Sequence, residues 1–150
     1  MWVPGRAAIC LLTASLCELV VAGVSLVVRG ELEREEERLV DGPSLYGELA
    51  LSKVENFLWG SAVAGMITLA LAALAWRRGG TKGVRAVMGA GLVPYTLFCW
   101  YFCFLSIFRA GEFLGGYSHL TFGLTSAAGV LYLAGTISLF LARPKFRQTG

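Results

Sequence analysis

The chain contains few of the residues that catalytic and metal sites depend on. Histidine occurs once, as His119. A haem or metal site held by several histidines is therefore excluded by number alone. General acid–base catalysis needs paired groups within reach of each other, and such pairs are nearly absent. We expect no catalytic residue, no bound metal and no cofactor, and predict that the protein is not an enzyme.

Cysteine is missing from the long polar segment between residues 29 and 56. The four cysteines are Cys10, Cys17, Cys99 and Cys103, and each falls in an apolar stretch. This placement excludes a disulfide framework in the polar segment, and no two cysteines have the spacing of a redox or zinc motif. We expect four free thiols.

Charge is also scarce, because only 15% of the 150 residues are charged whereas 56% are hydrophobic. A soluble domain of this size could not bury so much apolar surface around one core. Four stretches are long enough to cross a hydrocarbon layer of about 30 Å as helices that rise about 1.5 Å per residue. They cover roughly residues 7–28, 57–76, 86–108 and 120–142. We predict an all-α integral membrane four-helix bundle, a tetraspan forming a single domain over residues 1–150.

Basic residues are distributed unequally between the two sides of this bundle. One side holds eight basic residues and no acid, and the other holds five basic and nine acidic residues. The eight are Arg6, Arg77, Arg78, Lys82, Arg85, Arg143, Lys145 and Arg147. Because positive charge is retained in the cytoplasm, we predict that both termini are cytosolic, in the plasma membrane or a secretory-pathway membrane. The formal charge of +3 conceals this separation and does not indicate nucleic-acid binding.

The first apolar stretch has a second interpretation as a signal peptide. A signal peptide has a short basic segment, an apolar core and a cleavage point with small residues. Residues 1–6, residues 7–17 and Val20-Val21-Ala22 match these three parts in turn. The hydrophobic run nevertheless continues to Val28, and Glu18 is unusual inside such a core. We expect the span to be retained, and cleavage stays open as the alternative.

Glu18 is the most informative residue, because it lies near the middle of the first span. A carboxylate at that depth costs about 2.5–3.5 kcal/mol on insertion scales, so such residues usually face the protein interior, a partner or a water-filled path. The residues on its helical face are Leu11, Ala14, Ser15, Val21, Ala22 and Ser25. Four of these six are small, which favours close packing against another helix.

Several polar groups on the other spans lie at a similar predicted depth. They are Thr68 on the second span, Tyr95, Thr96 and Cys99 on the third, and Tyr132 on the fourth. We take Glu18, Tyr95, Thr96 and Tyr132 as functional candidates, together with Pro94, which should loosen or kink the third helix. Cys10, near the predicted cytosolic interface, is a candidate for palmitoylation.

The first connecting segment divides into two parts. Residues 30–39 are rich in glutamate and in helix formers, with Glu31/Arg34 and Glu35/Arg38 three positions apart, which favours a charged helix. Asp41-Gly42-Pro43-Ser44 indicates a turn, and apolar residues alternate with polar ones from Leu45 toward Trp59. We predict an acidic, partly helical extramembrane loop between helices 1 and 2.

Two functions fit these features. The first is a non-enzymatic accessory protein that binds other membrane proteins and alters their assembly, trafficking or gating. The alternative is a subunit of an oligomeric channel or transporter in which Glu18 lines a cation or proton path. The small-residue pattern on the second and fourth spans also permits a homo-oligomer. In either case the lipid bilayer is the immediate partner.

Overall fold

The computed structural model describes residues 3–38, 45–78, 81–105 and 115–141. Within these ranges the chain forms four long helices: α1 (Val3–Glu37), α2 (Leu45–Arg78), α3 (Lys82–Phe104) and α4 (Ser118–Leu141). A short 3-10 helix, Gly115–Tyr117, precedes α4. All four helices are long and apolar enough to cross a membrane. The predicted all-α, four-span bundle is confirmed, and the protein is a multi-pass membrane protein.

Helices α1 and α2 extend far beyond the hydrocarbon layer. They contain 35 and 34 residues, so each is about 50 Å long at about 1.5 Å per residue. Residues 29–37 continue α1 as a charged helix, and α2 begins at Leu45, well before Trp59. The loop is therefore partly helical, as predicted. The predicted turn at residues 41–44 and the basic residues of the C-terminal tail lie outside the described residues.

The helices are arranged in the order α2, α1, α4, α3. Helix α1 packs extensively against both α2 and α4, α3 packs mainly against α4, and α2 and α3 contact each other little. The bundle is consequently open along part of the boundary between α2 and α3, which is closed where the rings of Phe57 and Phe102 meet with centroids 4.8 Å apart. Cleavage of a signal peptide within α1 would remove the helix that α2 and α4 share.

The buried residues form three layers along the bundle. An apolar cluster at one end includes Leu11, Ala75, Met88 and Leu139. A second apolar cluster at the other end consists of Val28, Val54, Phe57, Phe102 and Leu105. Between the two lies a polar layer in which Ser15, Glu18, Ser61 and Thr68 are almost completely buried. The bundle therefore buries its polar groups in the middle of its apolar spans.

Small residues permit the close helix contacts on which such a bundle depends, since the hydrophobic effect does not drive helices together inside lipid. The Ser15 hydroxyl on α1 donates a hydrogen bond of 2.7 Å to the Gly65 carbonyl on α2. A Cβ atom on Gly65 would lie 3.0 Å from the Leu19 side chain and 3.4 Å from the Glu18 Cβ. Gly135 on α4 makes a comparable approach to Ala7 and Cys10 of α1.

Replacing Gly65 by leucine should destabilise the bundle by about 1–3 kcal/mol, because the added side chain would push α1 and α2 apart. Thermal unfolding of the purified protein in mild detergent measures this change. The matched control is Gly123→Leu on α4, since a Cβ at Gly123 meets nothing within 4 Å. Equal effects of the two substitutions would show that the α1–α2 contact does not limit stability.

Candidate functional site

Glu18 lies at the centre of the polar layer and has no solvent-accessible surface. Every residue that the sequence places on its helical face is also buried, and the largest exposed fraction among them is 7%, at Ala22. The prediction that Glu18 faces a packed seam is confirmed. The physical reason is the position of α1, which has α2 on one side and α4 on the other.

Tyr95 on α3 reaches the carboxyl group of Glu18. Its hydroxyl donates a hydrogen bond to Glu18 Oε1 at an oxygen–oxygen distance of 3.4 Å. This distance is well above the 2.7–2.8 Å typical of such bonds, so the bond is weak. Thr68 on α2 lies beside the Tyr95 hydroxyl, and its own hydroxyl donates to the Ala64 carbonyl at 2.7 Å.

The second carboxyl oxygen of Glu18, Oε2, makes no hydrogen bond to any described residue. Within the described part of the chain, neither Glu18 Oε2 nor Ser61 Oγ has a hydrogen-bond partner, although both atoms are buried. Ser61 on α2 is nevertheless close enough to act electrostatically on the Glu18 carboxyl. A buried polar atom without a partner costs about 1–3 kcal/mol. Glu18, Ser61, Thr68 and Tyr95, which we call the polar cluster, thus retain unused hydrogen-bonding capacity.

Aromatic stacking holds Tyr95 in this position. Its ring stacks on Tyr132 of α4 with ring centroids 4.4 Å apart and an interplanar angle of 19°. The Tyr132 hydroxyl donates to the Met88 carbonyl of α3 at 3.2 Å. Gly91 is required nearby, because a Cβ there would lie 2.5 Å from that hydroxyl. The stacking on Tyr132 therefore fixes the orientation of the Tyr95 ring.

The functional candidates named from the sequence separate into two groups. The structure brings Glu18 and Tyr95 together, and Tyr132 joins them through Tyr95. Thr96 and Pro94 are exposed on α3. Thr96 is not part of the polar cluster, and α3 continues through Pro94 as one helix.

Cys10 is half-buried and unbonded to another cysteine. Its Cβ packs close to Gly135 of α4. Palmitoylation of Cys10 stays a prediction. The other three cysteines are also free, as expected from their placement in the spans.

A groove runs along the open boundary between α2 and α3. Its volume is about 610 Å³, and its walls are mostly apolar side chains such as Val63, Ile67 and Val87. Thr68, Tyr95 and Tyr132 are the polar-tipped residues that line it. We call this feature the α2–α3 groove. Thr68 and Tyr132 are almost completely buried beneath it and Tyr95 is half-buried.

The sequence did not reveal this groove, although it contains one signal for it. Gly60 and Ala64 on α2 and Gly91 on α3 line the groove, although the Phe102 ring fills the space beside Gly60 and the Tyr132 hydroxyl fills the space beside Gly91. Such small residues are equally common where helices touch. Sequence patterns of this type cannot distinguish a tight seam from an open one.

The polar cluster offers hydrogen-bonding groups. No group of three or more metal-ligating side chains exists in the ranges that the structure describes. The polar cluster offers one carboxyl group and three hydroxyl groups in an apolar surrounding. Polar interactions are strengthened in such a surrounding because the local dielectric constant is low.

Glu18→Gln should be tolerated much better than Glu18→Ala. Glutamine keeps the size of the side chain and an acceptor for Tyr95, and it adds a donor toward Ser61. Alanine leaves the Tyr95 hydroxyl without its partner and opens a cavity, which should lower the free energy of unfolding by about 1–3 kcal/mol.

Unfolding of both variants in detergent measures the difference. Glu48→Ala, at an exposed position of α2, is the control and should change stability by no more than about 0.5 kcal/mol. A glutamine variant as unstable as the alanine variant would contradict this account of the polar cluster.

No protein-family model, curated protein or solved structure matches this chain, so the geometry of its own residues carries what is proposed of its function.

Proposed function

We propose that this four-span membrane protein is a non-enzymatic accessory protein, which binds other membrane proteins and alters their assembly, trafficking or gating. The observation that carries the proposal is a helical hairpin that projects beyond the membrane. It consists of residues 29–37 of α1 and residues 47–56 of α2, and we call it the acidic stalk.

The acidic stalk is held together as a folded unit. Arg29 pairs with Glu33 at 2.9 Å on the same helix and with Glu55 of α2 at 3.2 Å. On α2, Ala50 and Val54 are buried, and Val54 belongs to the apolar cluster that contains Val28 of α1. A surface that is already ordered loses little conformational entropy when a partner binds to it.

The outer faces of the stalk carry unpaired negative charge. Glu31, Glu35 and Glu37 are exposed on α1, and in the described ranges no salt bridge joins them to a basic residue. The pairs suggested by the spacing of Glu31 with Arg34 and Glu35 with Arg38 are therefore not formed. Such a surface suits a partner with basic residues just outside the membrane, since complementary charges steer association and set specificity.

The alternative role in a cation or proton path receives less support from the geometry. Glu18 is enclosed by helices of its own chain and has no accessible surface. For Glu18 to line a path between copies, α1 would have to leave α2 or α4. The accessory role requires no such rearrangement.

The distribution of basic residues supports an orientation with both termini in the cytosol, in the plasma membrane or a secretory-pathway membrane. A small epitope tag at either terminus should then be accessible to antibody only after the membrane is permeabilised. A tag between Asp41 and Gly42 should be accessible on the other side without permeabilisation at the cell surface, or protected from protease in sealed microsomes. A terminal tag on that opposite side would contradict the orientation.

Neutralising the exposed acids should weaken partner binding. The variant carries Glu31→Gln, Glu35→Gln and Glu37→Gln, and the readout is quantitative co-purification of membrane proteins after mild solubilisation. Recovery of a specific partner should fall about tenfold if each charge contributes about 0.5 kcal/mol. Raising the salt concentration should have the same effect on the wild-type protein.

The matched control neutralises two exposed basic residues beside the same acids, Arg34→Gln on α1 and Arg38→Gln directly after its end. This change makes the stalk more acidic and should leave recovery unchanged or raise it. Absence of any membrane protein above background, with all variants folded, would overturn the accessory role. Equal losses in both variants would show that the stalk acts through its fold rather than its charge.

A further inference from the structure

We propose that Thr81, in the connection between α2 and α3, is a phosphorylation site for a protein kinase that selects basic substrates, and that its phosphate binds the N-terminus of α3. The site rests on the proposed orientation, because it has to face the cytosol, where ATP and such kinases are found. It does not depend on the polar cluster or on the acidic stalk. The charge around the hydroxyl group, its exposure and the open surroundings of α3 support it.

The charge pattern around Thr81 occurs once in the chain. Arg78 is three positions before Thr81, Arg77 is four positions before it, and Lys82 follows it directly. No other serine or threonine of the 150 residues has a lysine or arginine three positions before it. Protein kinases that prefer basic substrates bind such an arginine with carboxylates of their own cleft, so the charge pattern selects the hydroxyl group. The sequence therefore offers one acceptor to a kinase of this class.

The Thr81 side chain is exposed and is not used as a helix cap. Thr81 is the N-cap residue of α3, with extended backbone at φ −60° and ψ 153°, and its side chain makes no capping hydrogen bond. Its carbonyl oxygen accepts a hydrogen bond of 3.1 Å from the Arg85 N–H. A threonine at this position usually caps the helix with its own side-chain oxygen. Phosphorylation of Thr81 therefore breaks no capping hydrogen bond.

Thr81 also lies outside the predicted spans. Trp76 is exposed by 69% and marks the interface, where aromatic residues are enriched. Arg77, Arg78 and Lys82 are exposed beyond it. Thr81 is five positions after the end of the second predicted span and five positions before the start of the third. The hydroxyl group is therefore placed where an enzyme in the aqueous phase can reach it.

The first turn of α3 has room for a phosphate. It contains no acidic residue, and a Cβ atom on Gly83 would meet nothing within 4 Å. The first N–H groups of a helix have no acceptor within the helix, and anions bind there favourably. A phosphate on Thr81 adds three acceptor oxygens and a charge of about −1.5 to −2. It lowers the formal charge of residues 77–85, which is +4, to about +2.

The reaction transfers one phosphoryl group from ATP to Thr81. The Thr81 Oγ1 forms a bond to the γ-phosphorus, and the bond between that phosphorus and the bridging oxygen of ADP breaks. The hydroxyl proton passes to the catalytic aspartate of the kinase. Phosphothreonine and ADP are the products, so the step needs neither an oxidant nor a reductant.

Phosphorylation of the purified full-length protein in mild detergent tests the site. The probe is calcium/calmodulin-dependent protein kinase II with ATP, because this kinase selects an arginine three positions before the acceptor. Chymotrypsin cleaves after Trp76 and keeps Arg77, Arg78 and Thr81 in one peptide, in which mass spectrometry locates the phosphate. We expect most molecules to carry phosphate on Thr81, and Thr81→Ala to remove it from this peptide. Both sides of the protein are accessible in detergent, so this result does not depend on orientation.

Two further measurements address the arginine and the helix. Arg78→Gln should slow phosphorylation about tenfold, because it removes a charged hydrogen-bonding group from the kinase cleft. Lys82→Gln is the matched loss of an exposed charge and should change the rate less than about twofold. In the phosphorylated protein, hydrogen exchange of residues 82–85 should slow about fivefold, as for a typical N-cap interaction. Exchange of residues 118–121, at the start of α4, should stay unchanged.

The same peptide should carry phosphate when it is purified from cells treated with phosphatase inhibitors. Four outcomes would overturn the proposal. The first is absence of phosphate from Thr81 in detergent, and the second is an equal loss of rate in Arg78→Gln and Lys82→Gln. The third is phosphorylated Thr81 without slower exchange at residues 82–85. The fourth is absence of phosphate in cells although the terminal tags are cytosolic, whereas tags on the opposite side would show that the orientation is what failed.

Discussion

The contact between α1 and α2 at Gly65 is the constraint on which the rest of the structure depends. The 2.7 Å hydrogen bond from Ser15 to the Gly65 carbonyl requires the two backbones to approach closely, and glycine at position 65 is what permits it. That approach places Glu18 beside Ser61 and within reach of Tyr95. The polar layer therefore exists because two small residues on facing helices remove the space that lipid would otherwise occupy.

Much of this arrangement follows from the sequence, for identifiable reasons. A carboxyl group in the middle of an apolar span has to be covered, and the small residues one and two turns away on α1 indicate the covering side. Tyr95 could be named as a partner because residues at equal depth on neighbouring spans meet. The extension of α1 to Glu37 followed from the run of helix formers after Gly30.

The order of the helices was the part that the sequence left undetermined. The small-residue pattern on the fourth span consists of Gly123, Ser126, Ala127 and Ala134, yet the buried face of α4 is that of Thr125, Ala128, Tyr132 and Leu139. Both faces are compatible with packing, because lipid and protein interiors are equally apolar. The depth of a residue in the membrane can be predicted from its position in an apolar span. The rotation of each helix about its own axis depends on all of its contacts together. The open part of the boundary between α2 and α3 depends on helix rotation and therefore could not be predicted from the sequence.

The lengths of the helices divide the molecule into two unlike halves. Helices α3 and α4, with 23 and 24 residues, are about 35 Å long and match the hydrocarbon layer. Helices α1 and α2, with 35 and 34 residues, are longer than this layer and continue beyond it at one end. Because α4 packs extensively against α1, the short helices cannot tilt alone without losing that contact, and a thinner or thicker membrane is met by tilting of the whole bundle.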